Sequence, residues 1–126
     1  PEDDHMNDDS PRMPSDPMFW LLREGRVEEF NRRRAAGTSC DLRRCNLRGL
    51  DLRGLEAGGL DLSDCYLRQA DLRGVDLSGT KLEGASIHGA HISGAYFPRE
   101  LPAAEIELSL RTGTRMRYRP GPGSVG

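Results

Sequence analysis

Residues 40 to 99 divide without remainder into twelve five-residue units: CDLRR, CNLRG, LDLRG, LEAGG, LDLSD, CYLRQ, ADLRG, VDLSG, TKLEG, ASIHG, AHISG and AYFPR. The third position is Leu42, Leu47, Leu52, Ala57, Leu62, Leu67, Leu72, Leu77, Leu82, Ile87, Ile92 and Phe97. The first is small or apolar throughout, from Cys40 to Ala95, and the fifth is Gly in eight units. A fixed period constrains a fold more than any local propensity does. A period of five fits neither an amphipathic helix nor a plain alternating strand.

Within a unit, positions one and three are two residues apart, so an extended backbone points them the same way. Positions two and four then face solvent. Position two is mostly Asp, Asn or Glu, and position four includes Arg43, Arg48, Arg53, Ser63, Arg68 and Arg73. After three extended residues the chain must turn, and Gly at position five permits the backbone angle of a tight turn. A turn every five residues winds the chain into coils with an apolar column inside. One coil cannot bury that column, whereas stacked coils can.

The units ADLRG, LDLRG, CNLRG and VDLSG match the A-(D/N)-L-X-X pattern, and the stretch 40–99 resembles the pentapeptide repeat proteins. The resemblance implies an all-β solenoid, a right-handed quadrilateral β-helix with four units per coil. Twelve units then make three coils, a rod roughly 15 Å long at about 4.8 Å per stacked strand. LEAGG departs from the pattern, placing Ala57 where Leu belongs. A thinner core is expected there, with Phe97 as a candidate filler.

The flanks read as caps and tails. Residues 1–16 are acidic, contain Pro and lack apolar anchors, the composition of a disordered segment. His5-Met6 reads as the seam of an expression tag, with 1–5 outside the functional argument. Asp16 and Pro17 suit the start of a helix, and 17–39 is expected to cap the first coil through Phe19, Trp20, Leu22, Val27 and Phe30, with a break at Gly25. Arg32, Arg33 and Arg34 suit that segment's C-terminal end. Beyond Pro98, residues 100–119 read as a closing unit: a short helix over Pro102 to Leu110, then a strand over Thr114 to Tyr118. Ile106, Leu108, Leu110 and Met116 are its candidate cap or dimer contacts. Residues 120–126 read as a loose tail.

Charge bears on function. The chain carries 20 acidic and 18 basic residues, and the repeat itself balances at zero. The resemblance brings in the protection of DNA gyrase by longer, acidic relatives that imitate DNA. DNA carries one charge per roughly 1.7 Å of its axis, so a neutral rod this short imitates it poorly. Units twenty residues apart should stack, placing Asp51 on Asp71, Arg53 on Arg73 and Arg48 on Arg68. These six residues are the candidate partner-binding surface: a surface ion-pair ladder by default, or a docking ridge for an acidic partner, since the arginine fork suits carboxylate and phosphate. In the third coil the acidic column ends, with Lys81, Ser86, His91 and Tyr96 at position two.

No P-loop, Ser/His/Asp set or paired carboxylates in a cleft can be read from the chain, so no catalytic residue and no cofactor is assigned. His88 and His91 fall on adjacent faces and no Cys pair has ligand spacing, so no metal site is assigned. Cys40, Cys45 and Cys65 occupy inward positions. Their odd number and core placement point to packing thiols and a reducing compartment, and a Cys45–Cys65 disulfide is not expected. No apolar run reaches membrane-spanning length, and a soluble, cytoplasmic, bacterial protein is expected. The resulting reading is a non-enzymatic interaction module presenting a rigid solenoid face to a protein partner, with a weak homodimer through the C-terminal segment as an option. The alternative is a regulator of a nucleic-acid enzyme, by gyrase protection or by phosphate contact through Arg111, Arg115, Arg117 and Arg119.

Overall fold

The computed structural model describes residues 10–120. The tails at 1–9 and 121–126, including the proposed tag seam, lie outside the described residues. The element order is α1 (Pro17–Arg23), α2 (Val27–Ala35), the repeat, then α3 (Ala103–Thr112).

The repeat stacks with a twenty-residue offset. Parallel backbone bridges join Asn46 to Tyr66, Asp51 to Asp71, Asp61 to Lys81, Tyr66 to Ser86, Asp71 to His91 and Asp76 to Tyr96. Each is a single-residue bridge, because a turn follows every three extended residues. The described residues therefore contain no strand longer than a bridge, and the only regular elements are helices. The expectation of an all-β chain is corrected to this extent. Leu42, Leu62 and Leu82 lie in one register and are buried, as are Leu47, Leu67 and Ile87. The turn geometry is imposed by stacking rather than by glycine alone: Arg44, Asp64 and Gln69 also take positive φ, near +60°. At Gly84 glycine is required twice over, since φ is +86° and a Cβ would meet the Asp64 carboxylate.

The irregular unit 55–59 interrupts the ladder. Asp76 and Ala57 exchange no main-chain hydrogen bonds across this face. Instead Gly59 N–H reaches Gly79 O at 2.9 Å, and the Thr80 hydroxyl donates to Ala57 O at 2.8 Å. Phe97 is not the filler: the register puts Leu77 between it and Ala57, and Phe97 itself is only half-buried.

The break expected at Gly25 divides the N-terminal segment into two helices. Asp16 caps α1 by accepting the Met18 N–H at 2.8 Å, and Pro17 fills the first turn. Gly25, at φ +77°, breaks the chain before α2, whose acidic start (Glu28, Glu29) and basic end (Arg32 to Arg34) complement the helix dipole. Met18, Phe19, Leu21, Leu22, Val27 and Phe30 are buried. Trp20 is not: it is 38% exposed, with its indole N–H on Pro14 O at 2.7 Å. Residues 10–16, read as disordered, lie against the first coil instead, where Arg12 bridges to Cys45. At the other end α3 stops at Gly113, φ +81°. The strand expected over 114–118 is absent; Met116 makes two main-chain bonds, accepting from Gly84 at 2.7 Å and donating to Ala85 at 2.9 Å.

Candidate interaction surface

Positions two and four of a unit lie on one side with a buried residue between them. That spacing turns each Asp-Leu-Arg triplet into a closed pair. The Asp51 carboxylate accepts from Arg53 Nε at 2.9 Å and Nη2 at 2.7 Å. Arg73 grips Asp71 at the same two distances, and Arg43 grips Asp41 at 2.9 Å twice. Each carboxylate also accepts the main-chain N–H of its arginine, so the pair fixes the turn as well as the charge. Arg53 Nε lies 3.4 Å from Asp71 too, tying one coil to the next. The guanidinium forks hold Asp51 and Asp71 below the usual carboxylate range and Asp41 down at about 2.

Asp51, Arg53, Asp71 and Arg73 thus form one plate of alternating charge on the third face of the solenoid. Arg48 and Arg68 stand on the preceding face. Arg48 Nε donates to Gln69 at 3.1 Å. Arg68 lies 4.8 Å from the Tyr66 ring and donates to Ser86 Oγ and Gly113 O, both at 3.3 Å, which ties it to the C-terminal segment. The six candidate residues are therefore two groups with different tasks.

The stacking pattern also gives each edge of a coil a fixed hydrogen-bonding character. Between coils, the third- and fifth-position N–H groups donate forward to second- and fourth-position carbonyls, as in Leu47 to Tyr66 and Gly49 to Arg68, both 2.9 Å. The second-position N–H donates back to a first-position carbonyl, as in Tyr66 to Cys45 at 3.0 Å. The leading edge of the first coil therefore offers two acceptors per donor, and the trailing edge of the last offers two donors per acceptor.

Arginine covers the leading edge. Arg34 Nη1 and Nη2 donate to Glu56 O and Gly58 O at 2.9 and 3.2 Å. Arg12 Nη2 donates to Asp41 O at 3.2 Å and Arg43 O at 2.6 Å, with its Nε also on Arg43 O at 2.8 Å, and Arg23 reaches Asn46 O at 3.3 Å. Asn31 accepts from Glu56 N–H at 3.0 Å and donates to Gly54 O at 2.9 Å. Sequence reasoning missed all four; the available signal was basic residues just before an acceptor-rich edge.

Oxygen covers the trailing edge. The Tyr118 hydroxyl accepts from Leu82 N–H at 2.9 Å, and Ser109 Oγ from Ile87 N–H at 3.0 Å. Met116 O and Leu110 O take the Gly84 and Gly89 N–H groups at 2.7 and 3.1 Å. Met116 is fully buried, Ile106 and Leu110 are partly buried against the core, and Leu108 is 39% exposed. Leu101, Ser109 and Tyr118 were not anticipated. The cover spans units 80–89 only. Ile92 and Phe97 remain half-exposed, and Tyr96 is 67% exposed.

The basic C-terminal residues are partly committed. Arg115 donates to Gly84 O at 2.8 Å and approaches Asp64 at 3.9 Å, and Arg111 lies 4.0 Å from Glu107. All three cysteines are free. Burial pushes the Cys45 thiol up to about 11 and the Cys65 thiol to about 12, and Cys65 Sγ donates to Leu42 O at 2.8 Å. Among the described residues no cluster of His, Cys, Asp and Glu could hold a metal, and no helix is long and apolar enough to cross a membrane.

No curated protein and no solved structure matches the chain. A family model for pentapeptide repeats matches residues 61–97 in eight copies, the stretch in which the ladder runs through the second and third coils. Residues 61–97 are thus pentapeptide repeats, as the five-residue period implies.

Proposed function

We propose that this chain is a non-enzymatic, cytoplasmic interaction module, built as a short right-handed quadrilateral β-helix that presents its third face to a regulated protein partner. Pentapeptide repeats are a protein-interaction type of module. The plate of Asp51, Arg53, Asp71 and Arg73 carries the reading. Its forks and turn bonds hold three exposed charges and the half-buried Asp71 at fixed spacing, so a partner meets a preorganised pattern and little side-chain freedom is lost on docking. A homodimer through the C-terminal segment would use the opposite end, where Leu108 points outward. The nucleic-acid reading draws less support: the repeat is neutral, and Arg68 and Arg115 are occupied within the chain.

Proximity labelling in the source cell tests the module. Wild-type protein and an Arg53→Ala/Arg73→Ala variant are compared at equal abundance. Protein neighbours enriched by the wild type and lost with the variant are expected. An identical neighbour set for both proteins rejects the third face. Neighbours dominated by nucleic-acid enzymes and released steeply by salt favour the alternative.

A further inference from the structure

We propose that the leading edge at Asp51 and Arg53 is a docking site for an arginine side chain of the partner protein. Every unit of the first coil presents the same pair of carbonyls there, from positions two and four. Two of the four pairs are spanned by an arginine fork, Arg12 on Asp41 and Arg43 and Arg34 on Glu56 and Gly58. A third is half-filled by Arg23 on Asn46. In the third coil the same pair accepts two N–H groups from the coil above on three faces, at Lys81 and Glu83, Ser86 and His88, and His91 and Ser93, so the guanidinium substitutes for a coil that is not there. Its planar fork of N–H donors suits two parallel acceptors.

The fourth pair, Asp51 O and Arg53 O, has no donor among the described residues, and Asp51 N–H has no acceptor there. It opens into a hollow of about 540 Å³ beneath the start of α2, bordered by Gly25, Val27, Glu28, Glu29, Asp51 and Arg53. The cations around it are already matched: Arg53 to Asp51 and Asp71, Arg32 to Glu29, and Arg26 to Glu24. Glu28 makes no ion pair among the described residues, so an incoming cation finds a carboxylate beside two vacant acceptors. A lysine ammonium would satisfy one carbonyl; a guanidinium spans both. The site rests on the module reading only for the source of the arginine, and it adjoins the same Asp51–Arg53 pair.

Amide NMR of the full chain, titrated with N-acetyl-arginine amide, reads the site directly. Saturable shifts confined to residues 25–29 and 50–54 are expected, and the uncharged citrulline analogue should bind roughly tenfold more weakly, given the added strength of a charged donor. Equal shifts with citrulline, or unsaturable shifts spread over Asp61, Asp76 and Glu83, overturn the proposal. Arg34→Ala supplies a second reading, because it vacates the matching pair at Glu56 and Gly58. The arginine probe should then shift that face as well and recover part of the lost Tm. Failure to do either shows that a free guanidinium cannot stand in for the fork. A silent edge with neighbour labelling intact would reject this site and leave the module standing.

Discussion

The two ends of the solenoid meet the same problem with opposite chemistry. A stack of parallel coils has a direction, so one end exposes mainly carbonyls and the other mainly N–H groups. The leading end is closed by guanidinium and amide donors from Arg12, Arg23, Asn31 and Arg34. The trailing end is closed by hydroxyl and carbonyl oxygens from Ser109, Leu110, Met116 and Tyr118. The apolar cover differs as well: six buried side chains in 18–30 against Leu101 and Met116. Repeat proteins need capped ends because each repeat shares its core only with its neighbours. The caps here need not resemble each other, because the edges do not.

The largest effect should follow loss of the leading cap. A chain beginning at Thr38 would expose the upper ends of the Leu42, Leu47 and Leu52 columns together with a row of carbonyls. It is expected to aggregate or associate, as read by size-exclusion chromatography with light scattering. A monomer with an unchanged melting curve would show that the first coil needs no cover and would remove one side of the comparison.

The coil register was legible because the five-residue period is strict; multiplied by four, it places Leu42, Leu62 and Leu82 together without further information. The helix starts and stops were legible for the same local reason, in Asp16, Pro17, Gly25 and Gly113. The charged plate followed from register alone, but its internal bidentate closure did not, since it depends on rotamers at positions two and four. The caps were the least legible part. Arg12 sits among acidic and Pro residues that read as disordered, and it acts through main-chain groups thirty residues away. Ser109 reads as a polar interruption of α3, and Tyr118 as part of a strand, until the trailing N–H groups they serve are identified.

At the trailing end, Met116→Ala should cost about 2–5 kcal/mol for a long side chain removed from a buried site, measured by denaturant unfolding. A loss below the range expected of surface changes would place Met116 outside the cap. Ser109→Ala should cost less, about 1–3 kcal/mol, because the buried Ile87 N–H loses its acceptor. Thr112→Ala is the control: this exposed hydroxyl bonds only within α3, to Leu108 O, and its removal should change stability by no more than about 0.5 kcal/mol. Equal effects for the two variants would deny that the trailing edge depends on added oxygens.

The smallest expected effect separates the ends by acid. Asp41 borders the leading edge, gripped by Arg43 and 3.6 Å from Arg12, and its folded value is depressed from 3.8 to about 2. A depressed carboxylate contributes stability above its unfolded value and loses that contribution as pH falls through its folded value. The contribution of Asp41 should therefore fade between about pH 3.8 and about 2. It will be modest, since the side chain is half-exposed and solvent screens the pair. The four oxygens closing the trailing edge belong to hydroxyls and main-chain carbonyls, not to carboxylates. Hydrogen exchange on acidification should accordingly release the Asn46 amide, held by Arg12 O at 2.9 Å, before the Ile87 and Gly89 amides. Asp41→Asn should abolish the acid dependence, with Asn46 released early already at neutral pH. Simultaneous release of all three amides in the wild type would mean that the ends open as one unit, and that their contrasting chemistry has no separate consequence for stability.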